Sequence, residues 1–179
     1  AKRGLPNVKT TPLALDAFVT DKAKKLFEHN HIYSHSELEA RHEILLENYV
    51  KKVQIEARVM GDLATNHILP AAIKYQNILI ENIKGLKDIG LTGAASATQS
   101  DIVKKISEHI NATSTKVEEM VEARKVANEI ADTRERAIAY CDKVKSCFDE
   151  IRYNVDKLEL LVDDKLWELP KYRELLFLR

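Results

Sequence analysis

The sequence predicts an all-α fold, an antiparallel bundle of about three long helices with short helices before it and an irregular tail after it. Only 5 of the 179 residues are Gly and 4 are Pro, too few turn-forming residues for a multi-stranded sheet. Apolar residues recur at three- and four-residue steps over most of the chain, the spacing that places them on one face of a helix. Charged residues make up 31% of the chain, enough to cover the solvent-exposed faces of long helices.

The first long helix is predicted over residues 37–89. Ser34 stands three residues before Glu37, the spacing of a capping box, in which the two side chains satisfy backbone donors at the start of a helix. Pro70 lacks a backbone donor and should kink this helix. The apolar stripe predicted for it comprises Leu38, Leu45, Tyr49, Val53, Met60, Leu63, His67, Ala71, Ile78 and Leu79.

Two further long helices are predicted over residues 99–130 and 133–162. Their apolar series are Val103, Ile106, Ile110, Thr113, Val117 and Met120, followed by Cys141, Val144, Phe148, Ile151, Val155, Leu158 and Val162. Between the two series, Arg124 and Arg134 stand where apolar residues are due, which indicates a break in the helix. Asp132 offers an N-cap for a new helix after that break. The pattern leaves open whether the two helices are one continuous helix.

The chain is predicted to comprise an irregular lead-in over residues 1–35, the long-helix bundle over 36–162 and a packing tail over 163–179. The lead-in should contain two short helices, which Thr10 and Thr20 precede as N-caps. The tail carries Pro170, so it cannot continue the last helix. Its apolar side chains need a surface to pack against, and they are Trp167, Tyr172, Leu175, Leu176 and Phe177.

The balance of charge argues against two classes of partner. Basic and acidic residues are equal in number, 28 each, so no net field attracts nucleic acid or an anionic membrane. Apolar stretches such as residues 68–73 are far shorter than the roughly 20 residues that a membrane-spanning helix needs. We therefore expect neither nucleic acid nor membrane as a partner.

The two cysteines point to a reducing compartment. Cys141 and Cys147 are six residues apart on a predicted helix, which puts them on different faces and roughly 9 Å apart along its axis, too far for a disulfide. We expect free thiols and a cytoplasmic protein. The chain starts at Ala1 and has no methionine before Met60, which fits either removal of an initiator methionine or a piece of a longer protein.

Histidines suggest metal sites, but each has a more ordinary interpretation. Glu39 and His42 have the Glu-x-x-His spacing of di-iron helical bundles, yet neither of the later long helices carries a second such motif. The group His29, His31 and His35 lacks the cysteine or carboxylate neighbours that a zinc site needs. His67 on the apolar stripe is expected to be a hydrogen-bonded core histidine.

No motif in the chain predicts catalysis. Gly90 and Gly93 lack the Gly-Lys-Ser/Thr that follows in a phosphate loop, so they are expected to form a linker. No nucleophile–base or paired-carboxylate arrangement can be argued from spacing. We therefore assign no catalytic, cofactor-binding or metal-binding residue to this chain.

Specific segments resemble the C-terminal part of type III glutamine synthetases, the large bacterial form of glutamate–ammonia ligase. The matching segments occur in the expected order and span nearly the whole chain. They are RGLPNVKTT (3–11), ELEAR (37–41), EILLENY (43–49), QIEAR (54–58), ILPAA (68–72) with YQ (75–76), and DKLW (164–167) with Pro170, Tyr172 and LLF (175–177). Arg41, Arg58 and Pro70 lie within these segments.

The resemblance implies an enzyme that makes glutamine from glutamate and ammonia, with ATP and Mg or Mn as cofactors of the full-length protein. In that family the metal ligands, nucleotide pocket and glutamate-binding residues lie upstream of this region, so no cofactor is implied in this segment. The resemblance implies a helical part that packs on the catalytic domain of the same chain and helps to build a large homo-oligomer. On its own the segment is expected to be inactive.

Two other functions stay open at the level of sequence. The long apolar stripes and the apolar tail also suit a self-contained helical bundle that docks partner helices. A metal-binding bundle is a third, weaker alternative, which metal analysis of the purified protein would test.

Overall fold

A computed structural model describes residue 4 and residues 7–176 of the chain, apart from the side chains of Tyr172 and Arg173. The described residues form helices and connecting loops without a strand, which confirms the all-α prediction. The chain divides into two compact units. Unit 1 comprises Ala1–Arg58 and Met120–Ser146, and unit 2 comprises Val59–Glu119 and Cys147–Arg179. No helix of the described part is long and apolar enough to cross a membrane.

The lead-in forms two short helices, as predicted. Helix α1 (Thr11–Leu15) carries Pro12 in its first turn and continues into a 3₁₀ turn, Asp16–Val19. Helix α2 (Asp21–His29) is capped by Thr20, whose Oγ1 accepts a hydrogen bond from the Ala23 backbone N–H at 3.3 Å. Thr10 takes the N-cap position of α1, but its side chain makes no capping hydrogen bond.

The first long helical segment consists of α3 (His35–Leu63), a π-helical turn (Ala64–Ile68) and α4 (Leu69–Asp88). The predicted capping box is present, because the Ser34 N–H donates to the Glu37 carboxylate at 2.8 Å and the Glu37 N–H donates to the Ser34 hydroxyl at 3.4 Å. The irregularity predicted at Pro70 takes the form of the π turn. The Leu69 N–H donates to the Ala64 carbonyl five residues back, so the hydrogen-bond ladder is already shifted where proline has no donor.

The predicted stripe of this segment is wrong at two of its aliphatic positions. Leu45 and Ile78 are 38% and 51% exposed, whereas their neighbours Leu46 and Leu79 are 2% and 8% exposed. Successive residues of a helix point about 100° apart, so the core can receive only one residue of each pair. The buried side chains are Leu38, Leu46, Val50, Val53, Ala57, Ala64, Ile68, Ala71, Ala72 and Leu79.

The second long segment begins after a short connection that contains Gly90. Gly90 has φ of 83°, a left-handed conformation that suits glycine at the end of α4. A 3₁₀ turn (Gly93–Ser96) then leads into α5 (Ala97–Asn128).

The third segment is separate from the second, which answers the question that the sequence left open. Asp132 caps α6 (Thr133–Ala139) by accepting a hydrogen bond from the Glu135 N–H at 2.8 Å. The third long helix predicted over 133–162 is confirmed as a continuous helical segment, within which a π turn (Tyr140–Val144) and a 3₁₀ turn (Lys145–Cys147) separate α6 from α7 (Phe148–Leu161). The π turn absorbs one extra residue, and Tyr140, Val144 and Cys147 are all buried.

Unit 2 has a core to which α4, α5, α7 and the tail all contribute. Cross-helix contacts show that neighbouring helices run antiparallel. Gln76 contacts Ser107 at 2.6 Å, and Asn82 contacts Gln99 at 3.3 Å. The residue numbers of the contacts increase along α4 while they decrease along α5, as in an antiparallel pair. The fully or nearly fully buried residues of this core are Ile68, Ala72, Leu79, Ile106, Leu158, Val162 and Trp167.

The tail packs on this core through Trp167, as its apolar character predicts, and ends in the short helix α8 (Tyr172–Leu175). Leu175 and Leu176, for which the sequence also predicts a packing surface, are 64% and 78% exposed. Trp167 is 8% exposed because its ring packs in the core that contains Leu158 and Val162. Phe177 lies outside the described residues.

Candidate functional site

An ion-pair cluster joins three elements of unit 1. Arg134 on α6 donates from Nε and Nη2 to the two carboxylate oxygens of Asp16, at 3.0 and 2.7 Å. His42 Nε2 on α3 lies 3.2 Å from Asp16 Oδ1. The hydrogen bond from Arg134 holds the pKa of the Asp16 carboxyl below its usual range, against the opposing effect of partial burial. An arginine therefore stands at position 134 of the apolar series because its side chain binds Asp16 of the lead-in.

The Glu39 and His42 pair is not brought together as a metal site. Glu39 contacts Lys24 at 2.8 Å, while His42 turns to Asp16. Within residue 4 and residues 7–176, no three side chains of His, Cys, Asp or Glu converge as metal ligands. The contacts of both residues connect α3 to the short helices before it.

The other histidines of the sequence analysis also have local structural roles. His31 follows the end of α2 and has a left-handed φ of 51°. The N–H of the next residue, Ile32, donates to the Phe27 carbonyl at 2.9 Å. His35 Nε2 lies 3.9 Å from a carboxylate oxygen of Glu28. The contacts of His31 and His35 therefore lie at the end of α2 and at the start of α3.

His67 contacts the tail, so the prediction that it is hydrogen-bonded is confirmed and the prediction that it lies in the core is wrong. His67 Nδ1 lies 3.2 Å from Glu168 Oε2, and the His67 side chain is 41% exposed. Lys74 lies 3.7 Å from the other oxygen of Glu168. The hydrogen bond from His67 and the charge of Lys74 lower the pKa of the Glu168 carboxyl.

Lys171 caps the end of α7, a role that sequence reasoning missed. Its Nζ donates to the carbonyl oxygens of Glu159 and Val162 at 2.7 and 3.3 Å, and it lies 2.6 Å from Asp164 Oδ1. The same Nζ lies 5.8 Å from the centroid of the Trp167 ring. The last carbonyls of a helix lack intrahelical donors, and Lys171 supplies them from beyond Pro170.

Tyr140, which is itself buried, forms a polar network in unit 1. Its hydroxyl donates to Asn128 Oδ1 at 2.6 Å, and Gln54 Nε2 donates to the same oxygen at 3.3 Å. Burial raises the pKa of Tyr140, and the positive charges of nearby arginines oppose this rise. Those arginines are Arg58, Arg124 and Arg136. The interruption of the apolar series at Arg124 therefore coincides with a cationic environment around Tyr140.

The cysteines and the Gly90 connection lie outside the polar clusters described above. Cys141 is half-buried and Cys147 is buried, and the two are not joined by a disulfide, as their spacing predicts. Gly90 and Gly93 have positive φ angles of 83° and 66° in the connection between α4 and α5, which confirms the linker prediction.

An exposed apolar pair lies on the outer face of α7. Tyr153 is 57% exposed and Leu160, two turns further along the helix, is 79% exposed. Residues seven apart on a helix share a face. We call Tyr153 and Leu160 the α7 surface.

Comparison with known proteins shows that the chain is similar to part of the glutamine synthetases. Residues 1–87 match the family model described as the glutamine synthetase C-terminal domain. The chain is 43% identical over 180 residues to a glutamine synthetase of Bacteroides fragilis (strain YCH46), across 99% of this chain and 25% of the relative. It is 32% identical over 180 residues to the type-3 glutamine synthetase of Dictyostelium discoideum, across 99% of this chain and 24% of the relative. The chain thus spans about a quarter of the length of these relatives.

Proposed function

We propose that this chain is the helical C-terminal part of a glutamate–ammonia ligase, as its sequence motifs predict, because its residues 1–87 match the family model of the glutamine synthetase C-terminal domain. The observation that carries the proposal is the 43% identity over nearly the whole chain to a glutamine synthetase. In the proposed reaction, ATP phosphorylates the side-chain carboxylate of glutamate and ammonia displaces the phosphate. The products are glutamine, ADP and inorganic phosphate.

We assign the chemistry to the rest of the enzyme and a structural role to this segment. Several side chains here that could do acid–base work are engaged in contacts between elements, as in the cluster of Asp16, His42 and Arg134. The carboxylates of the described residues do not offer a metal site, so we derive no step through Mg or Mn here. ATP and the metal belong to the full-length enzyme in this proposal.

The proposed partners are the catalytic part of the same protein and further copies of it in a large homo-oligomer in the cytoplasm. The α7 surface supports an assembly role, because exposed large apolar side chains on one helix face favour protein contacts. Leu175 and Leu176 on the tail add further exposed apolar area.

An activity measurement tests the assignment of chemistry. The full-length protein should form glutamine from glutamate, ammonia and ATP, and the isolated 179 residues should form none. Turnover by the isolated chain would refute the structural role. A full-length protein that is folded but makes no glutamine would refute the ligase itself.

A second measurement tests the assembly role in the full-length protein. Leu160→Asp places a charge on the α7 surface and should reduce the mass that light scattering reports. Asn111→Asp is the matched control, since it adds the same charge at an exposed polar position of α5 and should leave the mass unchanged. If Leu160→Asp and Tyr153→Asp both assemble like the parent, the α7 surface takes no part in assembly.

A further inference from the structure

A small polar cleft opens in unit 1 between α3, the end of α5 and the start of α6. Its volume is about 250 Å³, which suits a molecule of metabolite size and is below that of sites for drug-sized ligands. Its polar lining consists of Glu47, Lys51, Gln54, Asn128, Thr133 and Arg136. Amide, hydroxyl and cationic groups and one carboxylate, that of Glu47, therefore line a common space.

Arg136 is the residue of this cleft whose hydrogen bonding is incomplete. Its Nη2 donates to the Ala131 carbonyl at 3.1 Å, but its Nε is buried and has no partner among the described residues. Leaving a buried donor of a charged group unpaired costs free energy, so such a donor is usually satisfied by a ligand or by water. The planar guanidinium matches the geometry of carboxylate and phosphate groups.

The cleft has cations near it besides the one carboxylate of its lining, that of Glu47. Arg58, Arg124 and Arg136 all act electrostatically on the Tyr140 hydroxyl, which is bonded to Asn128 of the cleft. Within the part of the chain that the structure describes, none of these three arginines forms an ion pair. Three arginines without carboxylate partners make this region attractive to an anion.

The rim of the cleft adds one more cation. Lys51 is 67% exposed, and its Nζ lies 3.7 Å from a carboxylate oxygen of Glu47, a long and solvent-exposed ion pair. Such a pair is weak, so Lys51 can turn to a ligand at low energetic cost. Gln54, Asn128 and Thr133 supply neutral groups that hydrogen-bond to oxygen or hydroxyl atoms of a ligand.

We propose that this cleft binds a small molecule that carries a carboxylate or phosphate group, with Arg136 holding the oxyanion and Lys51 assisting from the rim. This site goes beyond the proposed structural role and does not depend on it. The family motif QIEAR (54–58) contributes Gln54 to the cleft lining and Arg58 to the cationic environment, a use for this motif beyond helix packing.

Equilibrium dialysis of the full-length protein with labelled succinate and with labelled inorganic phosphate tests the site. Arg136→Gln should weaken the binding of at least one probe by about tenfold or more, the effect expected from losing a charged hydrogen-bonding partner. Arg136→Lys keeps the positive charge but lacks the planar guanidinium with its two parallel donors, so it should weaken binding by a smaller factor. Loss with succinate alone identifies a carboxylate ligand, loss with phosphate alone a phosphate ligand, and loss with both a general oxyanion site.

Lys51→Gln provides a variant that does not disturb the buried network. It should weaken binding by about threefold at low salt, as expected for one exposed charge. Lys52→Gln removes the same charge from the next residue, which does not line the cleft, and should leave binding unchanged.

Three results would overturn the proposal. The first is equal binding of both probes by the parent, Arg136→Gln and Lys51→Gln. The second is equal weakening by Lys51→Gln and Lys52→Gln, which would indicate a non-specific charge effect. The third is a crystal structure of the full-length protein in which an acidic side chain from another segment forms an ion pair with the Arg136 guanidinium.

Discussion

Arg134 and Asp16 lie 118 residues apart in the sequence and form a two-pronged ion pair, with Nε and Nη2 donating to the same carboxylate. The pair connects the 3₁₀ turn after α1 to the first turn of α6. It also explains why an arginine stands where the helical pattern calls for an apolar residue.

The ion pair predicts a pH-dependent loss of stability in Asp16→Asn. The pKa of Asp16 is lowered in the folded state, so its stabilisation is present above the unfolded value of 3.8 and is lost as pH falls through the lower folded pKa. The Asp16 and Arg134 side chains are 29% and 40% exposed, so we expect a loss of only about 1 kcal/mol at pH 7. The difference from the parent should shrink below about pH 4, as urea unfolding at several pH values would measure.

A double-mutant cycle separates this pair from general effects of the substitutions. Asp16→Asn and Arg134→Gln combined should cost less than the sum of the single changes, because the second change removes a contact that is already lost. Additive effects, or an Asp16→Asn effect that is constant from pH 7 to pH 3, would contradict the prediction.

Trp167→Ala should lower the free energy of unfolding by about 3 kcal/mol or more, because it removes a large side chain from the core of unit 2. Trp167→Phe is the informative companion variant. The indole Nε1 is buried and has no hydrogen-bond partner among the described residues, so the phenyl ring loses volume without losing a bond. In denaturant unfolding, the free energy of unfolding of Trp167→Phe should be well above that of Trp167→Ala. An unchanged melting temperature for Trp167→Ala would show that the tail does not stabilise the core.

Lys171→Met should destabilise the chain by about 1–2 kcal/mol, because the carbonyls of Glu159 and Val162 lose their donor at the end of α7. Lys165→Met is the control, since Lys165 is exposed and should change stability by no more than about 0.5 kcal/mol. Thermal unfolding followed by circular dichroism measures both. Equal effects of the two substitutions would indicate a response to charge rather than the loss of a cap.

Thr113→Val should stabilise the chain by about 1 kcal/mol, an unusual sign for a change at a fully buried residue. The Thr113 side chain is 0% exposed, and its hydroxyl has no hydrogen-bond partner in the part of the chain that the structure describes. Replacing it with a methyl group of similar size removes the desolvation penalty of an unpaired hydroxyl. Thr115→Val on the exposed face should be nearly neutral, and a clear loss of stability in Thr113→Val would reveal a bound water or another partner for the hydroxyl.

Local sequence signals predicted the helix starts well. The capping box of Ser34 and Glu37 and the cap at Asp132 both form hydrogen bonds at the predicted positions. A cap involves residues three apart, so its energy depends little on the remainder of the fold. The two π turns were not predicted, because a single extra residue in a turn follows from how the two ends of a helix are held by their neighbours.

The polar contacts of the candidate sites were largely beyond sequence reasoning. Lys171 could have been noticed as a cation shortly after a helix end, but its choice of Glu159 as acceptor depends on how Pro170 turns the chain. The buried Nε of Arg136, which has no partner among the described residues, had no signal in the sequence, because the cleft of about 250 Å³ is formed by residues of three helices.

The sequence by itself determined that this chain is helical, where its helices begin and which enzyme family it resembles, since these depend on neighbouring residues and ordered motifs. Only the tertiary structure decided that Leu46 rather than Leu45 faces the core and that Arg134 binds Asp16. It also decided that Arg136 lines a cleft and buries an Nε without a hydrogen-bond partner among the described residues. Helix formation depends on interactions three and four residues apart. The choice of partner among distant residues is made by the packing of whole helices, which local interactions do not specify.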